Sequence, residues 1–328
     1  MDGFKGKKIL ITGGLGFIGS NLAHSLKGEG AEVTILDNFD HESGSNSFNI
    51  SNIESDIEIL KEDIINYDTV LGAVKGKDIV FNAAASTSHS ISMKKPWENL
   101  RTNTLGVLNI LESIKTLEPN ISFVHIGTTT QIGPMRSSPS DELHPEFPTD
   151  MYSANKVVGE KYTLLYAKAY GLRCCVVRLP NVYGPRAAIH SPNFTFNNFF
   201  IGLALQKKKI TVFKPGDQLR NIIFVDDAVN ALNLACLSEN SQGETFIASS
   251  DDHFSVKEIA EKTAEVIGGG VSMLDWPEDR ETIEVGDAVF TNKKIKSILG
   301  WKTSVDLEEG LKITKDYYSQ CLEYYLND

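Results

Sequence analysis

Tyr152 and Lys156 stand four residues apart in a segment with helical periodicity, so both side chains leave one face of the helix. A phenol near an ammonium is suited to general-base work, because positive charge favours phenolate although free tyrosine titrates near about 10. The same spacing also suits plain amphipathic packing, so context has to decide. Upstream, the apolar run 121–126 ends in Gly127-Thr128-Thr129-Thr130, and strand C-termini are where an open parallel sheet places its ligands. A second chemical signal lies near the start, where Lys8-Ile9-Leu10-Ile11 leads into Thr12-Gly13-Gly14-Leu15-Gly16-Phe17-Ile18-Gly19 and then a helix. Gly13 and Gly16 allow a tight turn and close approach of the backbone to a pyrophosphate, which the helix N-terminus stabilises; Gly19 permits close helix–strand packing. Asp37 ends the next strand, where a carboxylate accepts hydrogen bonds from an adenosine ribose 2′-OH and repels a 2′-phosphate. Turn and carboxylate together predict a dinucleotide site for NAD rather than NADP.

These residues need strands and helices in alternation to bring them together. Strand-like runs at 8–11, 32–36, 57–60, 78–82, 121–126 and 173–178, with helical periodicity at 17–27, 97–117 and 152–170, predict an α/β fold of the Rossmann type, with a doubly wound parallel sheet. The Ser- and Asn-rich stretch 40–55 reads as a surface loop. After Arg178 the rhythm weakens, and Pro180, Pro185 and Pro192 punctuate the chain. Residues 1–180 are therefore expected to form the dinucleotide-binding domain, with 222–250 returning to it through a strand at 222–225. Residues 181–328 are expected to form a smaller, mixed α/β domain for the second ligand.

Composition narrows the classes. With 328 residues, 41% hydrophobic and 23% charged, the chain has the makeup of a globular enzyme. A net charge of −11 disfavours nucleic acid or an anionic membrane as partner, and an anionic ligand would need local arginines. Four scattered cysteines with no CxxC pair predict reduced packing residues and no metal site. No secretory h-region and no long apolar run is evident, which predicts a cytoplasmic protein.

An ordered series of motifs then accumulates: the glycine turn, Asp63-Ile64, Asn82-Ala83-Ala84-Ala85, Asn103-Thr104-Leu105-Gly106, Thr128 and Tyr152-Ser153-Ala154-Asn155-Lys156. It continues through Arg178-Leu179-Pro180-Asn181-Val182-Tyr183-Gly184-Pro185 and Gly216-Asp217-Gln218-Leu219-Arg220 to Leu299-Gly300-Trp301. Nearly end to end, the chain resembles an extended short-chain dehydrogenase/reductase of the sugar-nucleotide epimerase/dehydratase family, related to UDP-glucose 4-epimerase. The resemblance implies catalytic roles for Thr128, Tyr152 and Lys156. It implies NAD contacts from Gly13, Gly16, Phe17, Ile18, Gly19, Asp37, Asn38, Asp63, Ile64, Ala83, Ala84, Ala85, Asn103, Tyr152, Lys156 and Val182. A nucleoside-diphosphate sugar carrying UDP or dTDP would meet Thr128, Thr129, Asn181, Phe213, Arg220, Arg280 and Ala288, with Phe213 on the base and Arg220 on the diphosphate. Ala288 falls beside the sugar 2-position, where a small side chain leaves room for an N-acetyl group. The resemblance also implies a homodimer built on the helices around 99–117 and 152–170.

In that family Tyr152 would take the O4 proton while C4 gives hydride to the nicotinamide, leaving a 4-keto sugar. Dehydratases generally carry Asp-Glu after the threonine, and decarboxylases keep a glutamate there; this chain has Thr129 and Thr130, which have no accessible pKa for that proton transfer. The expected reaction is 4-epimerisation, which needs no further acid. The alternatives are a 4-keto-sugar reductase, a 4,6-dehydratase and, outside enzymes, an NAD-binding sensor. Met151, Gln131-Ile132 and Asn221 depart from the family pattern and bear on the substrate.

Overall fold

The structure is a computed structural model that describes residues 3–117, 120–276 and 286–326. Its centre is a seven-stranded parallel sheet. Six strands come early: β1 (Lys8–Thr12), β2 (Glu32–Asp37), β3 (Glu58–Lys61), β4 (Ile79–Asn82), β5 (Ser122–Thr128) and β6 (Cys174–Leu179). Short strands follow: β7 (Asn181–Tyr183), β8 (Lys209–Phe213), β9 (Leu219–Arg220), β10 (Ile222–Phe224), β11 (Thr245–Ile247), β12 (Phe254–Ser255) and β13 (Gly270–Leu274). The central order is β3-β2-β1-β4-β5-β6-β11, so direction of growth reverses between β1 and β4 and opens a crevice at their C-terminal ends.

Successive residues of β1 serve opposite faces, as strand geometry demands. Ile9 and Ile11 join a core with α1 (Phe17–Gly28) and α8 (Val225–Leu237), whereas Leu10 joins one with α2 (Tyr67–Val74) and α5 (Gly106–Leu117). Covered on both sides, β6 is buried throughout, which is why it reads as a continuous apolar run. All four cysteines are free and buried.

Three expectations are revised. The periodicity at 97–117 is not one α-helix: α3 (His89–Lys94) and α4 (Pro96–Leu100) lead into a π-turn at Arg101–Leu105, and α5 follows. The stretch 40–55 holds three 3-10 turns instead of an open loop, and Ser45, Asn49 and Ile50 in it are buried. Asn49 explains the burial, since its amide donates to the Leu15 carbonyl and its Oδ1 accepts from the Tyr325 hydroxyl. The strand expected at 222–225 is β10, which pairs with β7 outside the central sheet; the strand that joins the central sheet is β11, beside β6. Two further small sheets, β12–β9 and β13–β8, complete the C-terminal region.

Candidate functional site

The glycine turn lies between β1 and α1, at the crevice. Gly13 adopts φ +70°, and a Cβ there would meet the Ala84 backbone at 2.6 Å, while a Cβ on Gly19 would meet the Gly13 carbonyl oxygen at 2.2 Å. Helix α1 starts at Gly16 with no side-chain cap, which leaves first-turn N–H groups for a ligand or solvent. One cavity at this edge is lined by Gly13, Gly16, Asp37, Asp63, Ile64 and Ala83, and Asn38, Ala84 and Ala85 also border it. The residues present therefore fit a dinucleotide: an uncapped helix start and a carboxylate at the two ends of one cleft.

Asp37 is held rigidly there. Its carboxylate accepts from Leu15 N (3.0 Å), Phe39 N (2.9 Å) and the Ser45 hydroxyl (3.0 Å), and burial nonetheless pushes its pKa above the ordinary carboxylate value. Asn38 donates to Asp63 at 2.9 Å and so ties the ends of β2 and β3. Ser45 and Thr102 also line the cleft and went unread in the sequence, because no local pattern marks a side chain delivered from a distant loop. Asn103, on the π-turn, holds the chain after β4 by accepting from Ser86 N (3.2 Å) and donating to Ser86 O (2.9 Å). Phe17 and Ile18 pack against the core at the start of α1, and Val182 is buried, its carbonyl accepting from Asn197 and Asn198.

Beyond β4, the strand end of β5 meets α6 (Met151–Tyr170). Asp150 caps α6 by accepting from Ser153 N at 2.8 Å and pairs with His89 Nδ1 at 2.7 Å. Tyr152 follows, buried, with its N–H donating to Ser92 Oγ and the His89 ring edge-on at 5.1 Å. Thr128 contacts the Thr130 hydroxyl at 3.0 Å and acts on the Tyr152 phenol. Lys156 is 3% exposed, with Nζ donating to the Ile126 carbonyl at 2.5 Å and 3.4 Å from His125 Nε2. Thr128, Tyr152 and Lys156 thus share one end of the sheet.

The electrostatics differ from the simple expectation. Burial is the largest effect on Tyr152 and pushes its phenol up to about 12; the Thr128 hydrogen bond opposes this and the Asp150 charge reinforces it. Burial likewise brings Lys156 down to about 8, with the Glu160 carboxylate opposing. His89 of α3, Asp150 before α6 and His125 of β5 lie around the pair and carried no signal in the sequence, where His125 reads as a packing residue of an apolar strand.

The expected substrate residues are more dispersed. Phe213 ends β8 and lies against Trp276, ring centroids 4.8 Å apart. Arg220 donates to the carbonyls of Leu219 (2.9 Å) and Gly286 (2.7 Å). Asn181 donates to the Asn221 carbonyl, and Asn221 is itself buried, its amide donating to the carbonyls of Ser250 and Asp252. Ala288 packs with Ile132, Phe290 and Met135, on the segment that follows Thr128, and Thr129 is buried beside Thr128. Arg280 lies outside the described residues. Among the described residues there is no cluster of His, Cys, Asp and Glu placed to hold a metal ion, and no helix long and apolar enough to cross a membrane.

Comparison with known proteins agrees with this geometry. The chain is 31% identical over 327 residues to UDP-glucuronic acid decarboxylase 1 of Xenopus tropicalis, covering 98% of this chain and 74% of that protein. It is 30% identical over 316 residues to UDP-glucose 4-epimerase of Mycolicibacterium smegmatis, covering 95% and 98%. An epimerase structure from Methanothermobacter thermautotrophicus superposes with a TM-score of 0.90 at 27% identity, covering 98% of this chain and 95% of that one. Residues 9–248 match a family description that spans both the glycine turn and the Tyr-Lys helix, and the chain belongs to the NAD dependent epimerase/dehydratase family.

Proposed function

We propose that this chain catalyses 4-epimerisation of a nucleoside-diphosphate sugar, a UDP-hexose or UDP-N-acetylhexosamine, through a transient 4-keto sugar. The observation that carries this reading is the hydroxyl character of the residues after Thr128. Thr130 is bonded within the local network, its N–H donating to Thr128 Oγ1 and its hydroxyl accepting from Ser153. The nearby carboxylates are committed elsewhere: Asp150 to capping and His89, Glu160 to Arg178 and Gln131. A reaction that needs a second acid or base at C5 has no obvious supplier here, and epimerisation needs none.

Bound NAD supplies an acceptor for the C4 hydride and its source on return. Tyr152 takes the O4 proton as C4 is oxidised and returns it as C4 is reduced, while Thr128 hydrogen-bonds O4. Between the two transfers the ketone turns about its bond to the diphosphate and presents its other face. Arg220 and Asn181 hold the diphosphate, and Phe213 the base; an Arg fork suits phosphate oxygens on an otherwise acidic protein. UDP is favoured by the names of both relatives.

Incubation with UDP- and dTDP-sugars, read by NMR and mass spectrometry, tests the proposal. The expected products are C4 epimers of unchanged mass. Loss of water, loss of carbon dioxide from a UDP-uronic acid, or net reduction would overturn it in favour of the dehydratase, decarboxylase or reductase activity.

A homodimer is part of the same reading. Trp97 is 74% exposed and Leu165 55% exposed, and Leu100, Leu105 and Tyr170 add apolar surface on the same two helical segments. Exposed apolar surface of this kind suits a second copy. Sedimentation at micromolar concentration should give twice the 36.1 kDa chain mass, and Leu165→Asp should return the monomer.

A further inference from the structure

Beneath the Tyr152–Lys156 pair, a line of buried polar side chains crosses the fold from β1 to α6. Thr12 Oγ1 donates to Asn82 Oδ1 at 2.6 Å, Asn82 Nδ2 lies 3.2 Å from His125 Nδ1, and His125 Nε2 lies 3.4 Å from Lys156 Nζ. The four residues come from β1, β4, β5 and α6, and none is more than 3% exposed. In a line of direct contacts between buried side chains, the sense of each hydrogen bond fixes the next.

That sense can be followed. Asn82 spends its carbonyl oxygen on the Thr12 hydroxyl, so its amide N–H donates to His125 Nδ1. Burial pushes His125 well below its ordinary pKa, with the Lys156 charge adding to the effect, and the ring is neutral. A neutral imidazole whose Nδ1 accepts carries its one proton on Nε2. That N–H faces Lys156 Nζ. On its other side Lys156 meets the Ile126 carbonyl oxygen. The carbonyl favours the ammonium form, while the imidazole N–H favours the amine, whose lone pair can accept it.

We propose that His125 is a positioning residue for Lys156: held by Asn82 in the Nε2–H tautomer, it presents a donor to Nζ and keeps the ammonium able to release its proton. The other charged or titratable groups around Lys156 are Glu160 and Tyr152 on α6, with Arg178 of β6 paired to Glu160. Burial works against the ammonium and Glu160 toward it, and the His125 Nε2–H, 3.4 Å from Nζ, adds a donor on the side of burial. The consequence for turnover rests on the epimerase reading: the protonation state of Lys156 sets the charge present one helical turn from Tyr152 on the same face of α6.

The protein itself, with lysine and histidine side chains isotopically labelled, tests the proposal by NMR without any turnover. Imidazole 15N shifts, assigned with His125→Gln, are expected to show a neutral Nε2–H ring from about pH 6 to 9. An Nδ1–H ring, or one that titrates in that range, overturns the proposal even if no variant folds. The Lys156 Nζ midpoint, assigned with Lys156→Arg, is expected to rise by about one pH unit in His125→Phe and to stay near the native value in His125→Gln, whose amide can donate. An unmoved midpoint in His125→Phe also overturns it. Absence of epimerase turnover in the wild type would defeat the functional reading alone, leaving these spectra to decide the tautomer.

Discussion

The two halves of the cleft are built in different ways. On the cofactor side the work is done by backbone: a turn at Gly13, an uncapped start to α1, and one carboxylate at the end of β2, all within the first 37 residues. On the proposed sugar side it would fall to side chains from separate short strands and loops, among them Phe213 on β8, Arg220 on β9, and Ala288 beyond a long connection. Backbone sites are local, so spacing reveals them. Side-chain sites are assembled across the chain, so they can drift and carry specificity. The Tyr152–Lys156 pair stands at the seam, local in spacing but dependent on β5 for Thr128 and His125.

The largest effect should appear at that seam. Tyr152→Phe keeps the ring and its packing against His89 but removes the proton acceptor, so turnover should fall by about 1000-fold while NAD affinity by calorimetry stays near wild type. Near-native activity in that variant would remove Tyr152 from the chemistry.

A smaller effect should mark the cofactor side. Asp37→Ala deletes the carboxylate that would meet the ribose 2′-OH, and the preference for NAD over NADP should narrow by about tenfold. Equal affinities for the two dinucleotides in the wild type would contradict the role of Asp37. Because Asp37 also ties Leu15, Phe39 and Ser45, a lower Tm is expected alongside.

The smallest effect tests the sugar side and with it the contrast between the halves. Ala288→Tyr should lower kcat/KM for UDP-N-acetylglucosamine relative to UDP-glucose by about tenfold, since a phenol would fill the space left for an N-acetyl group. An unchanged ratio would mean that Ala288, which packs against the cluster of Ile132, Ile247 and Phe290, serves the core alone.

What was legible follows the same division. The six early strands and the helices at 17–27 and 152–170 could be read to within a residue or two, because buried parallel strands are continuous apolar runs and amphipathic helices repeat, whereas the segment 97–117 is interrupted by the π-turn. Strands β7, β10 and β11 are only three residues long, too short for any period to register, and that is why the strand joining the central sheet was sought at 222–225 and found at Thr245–Ile247. In the site, Gly13 and Asp37 stand out by spacing, Tyr152 and Lys156 only in the context of the motif series, and Asn82 only as the first residue of Asn82-Ala83-Ala84-Ala85, while His125 does not stand out. His125 looks like an ordinary residue of an apolar strand until β4, β5 and α6 are brought side by side.

The π-turn at Arg101–Leu105 bears on how this chain tolerates changes in length. A π-turn is an α-helix that has taken in one extra residue, with the helix on either side keeping its phase. Removing a residue elsewhere in α5 would swing everything beyond it through about 100° and turn Ile110 and Ile114 out of the core. Removing one from within the turn would restore a regular helix and leave Trp97 and Ile110 pointing where they do now. The aim of Asn103 at Ser86 would be lost. The segment therefore offers a deletion scan a permissive window, in which helical packing survives while the chain behind the cofactor cleft and the Thr104–Asn155 hydrogen bond are released.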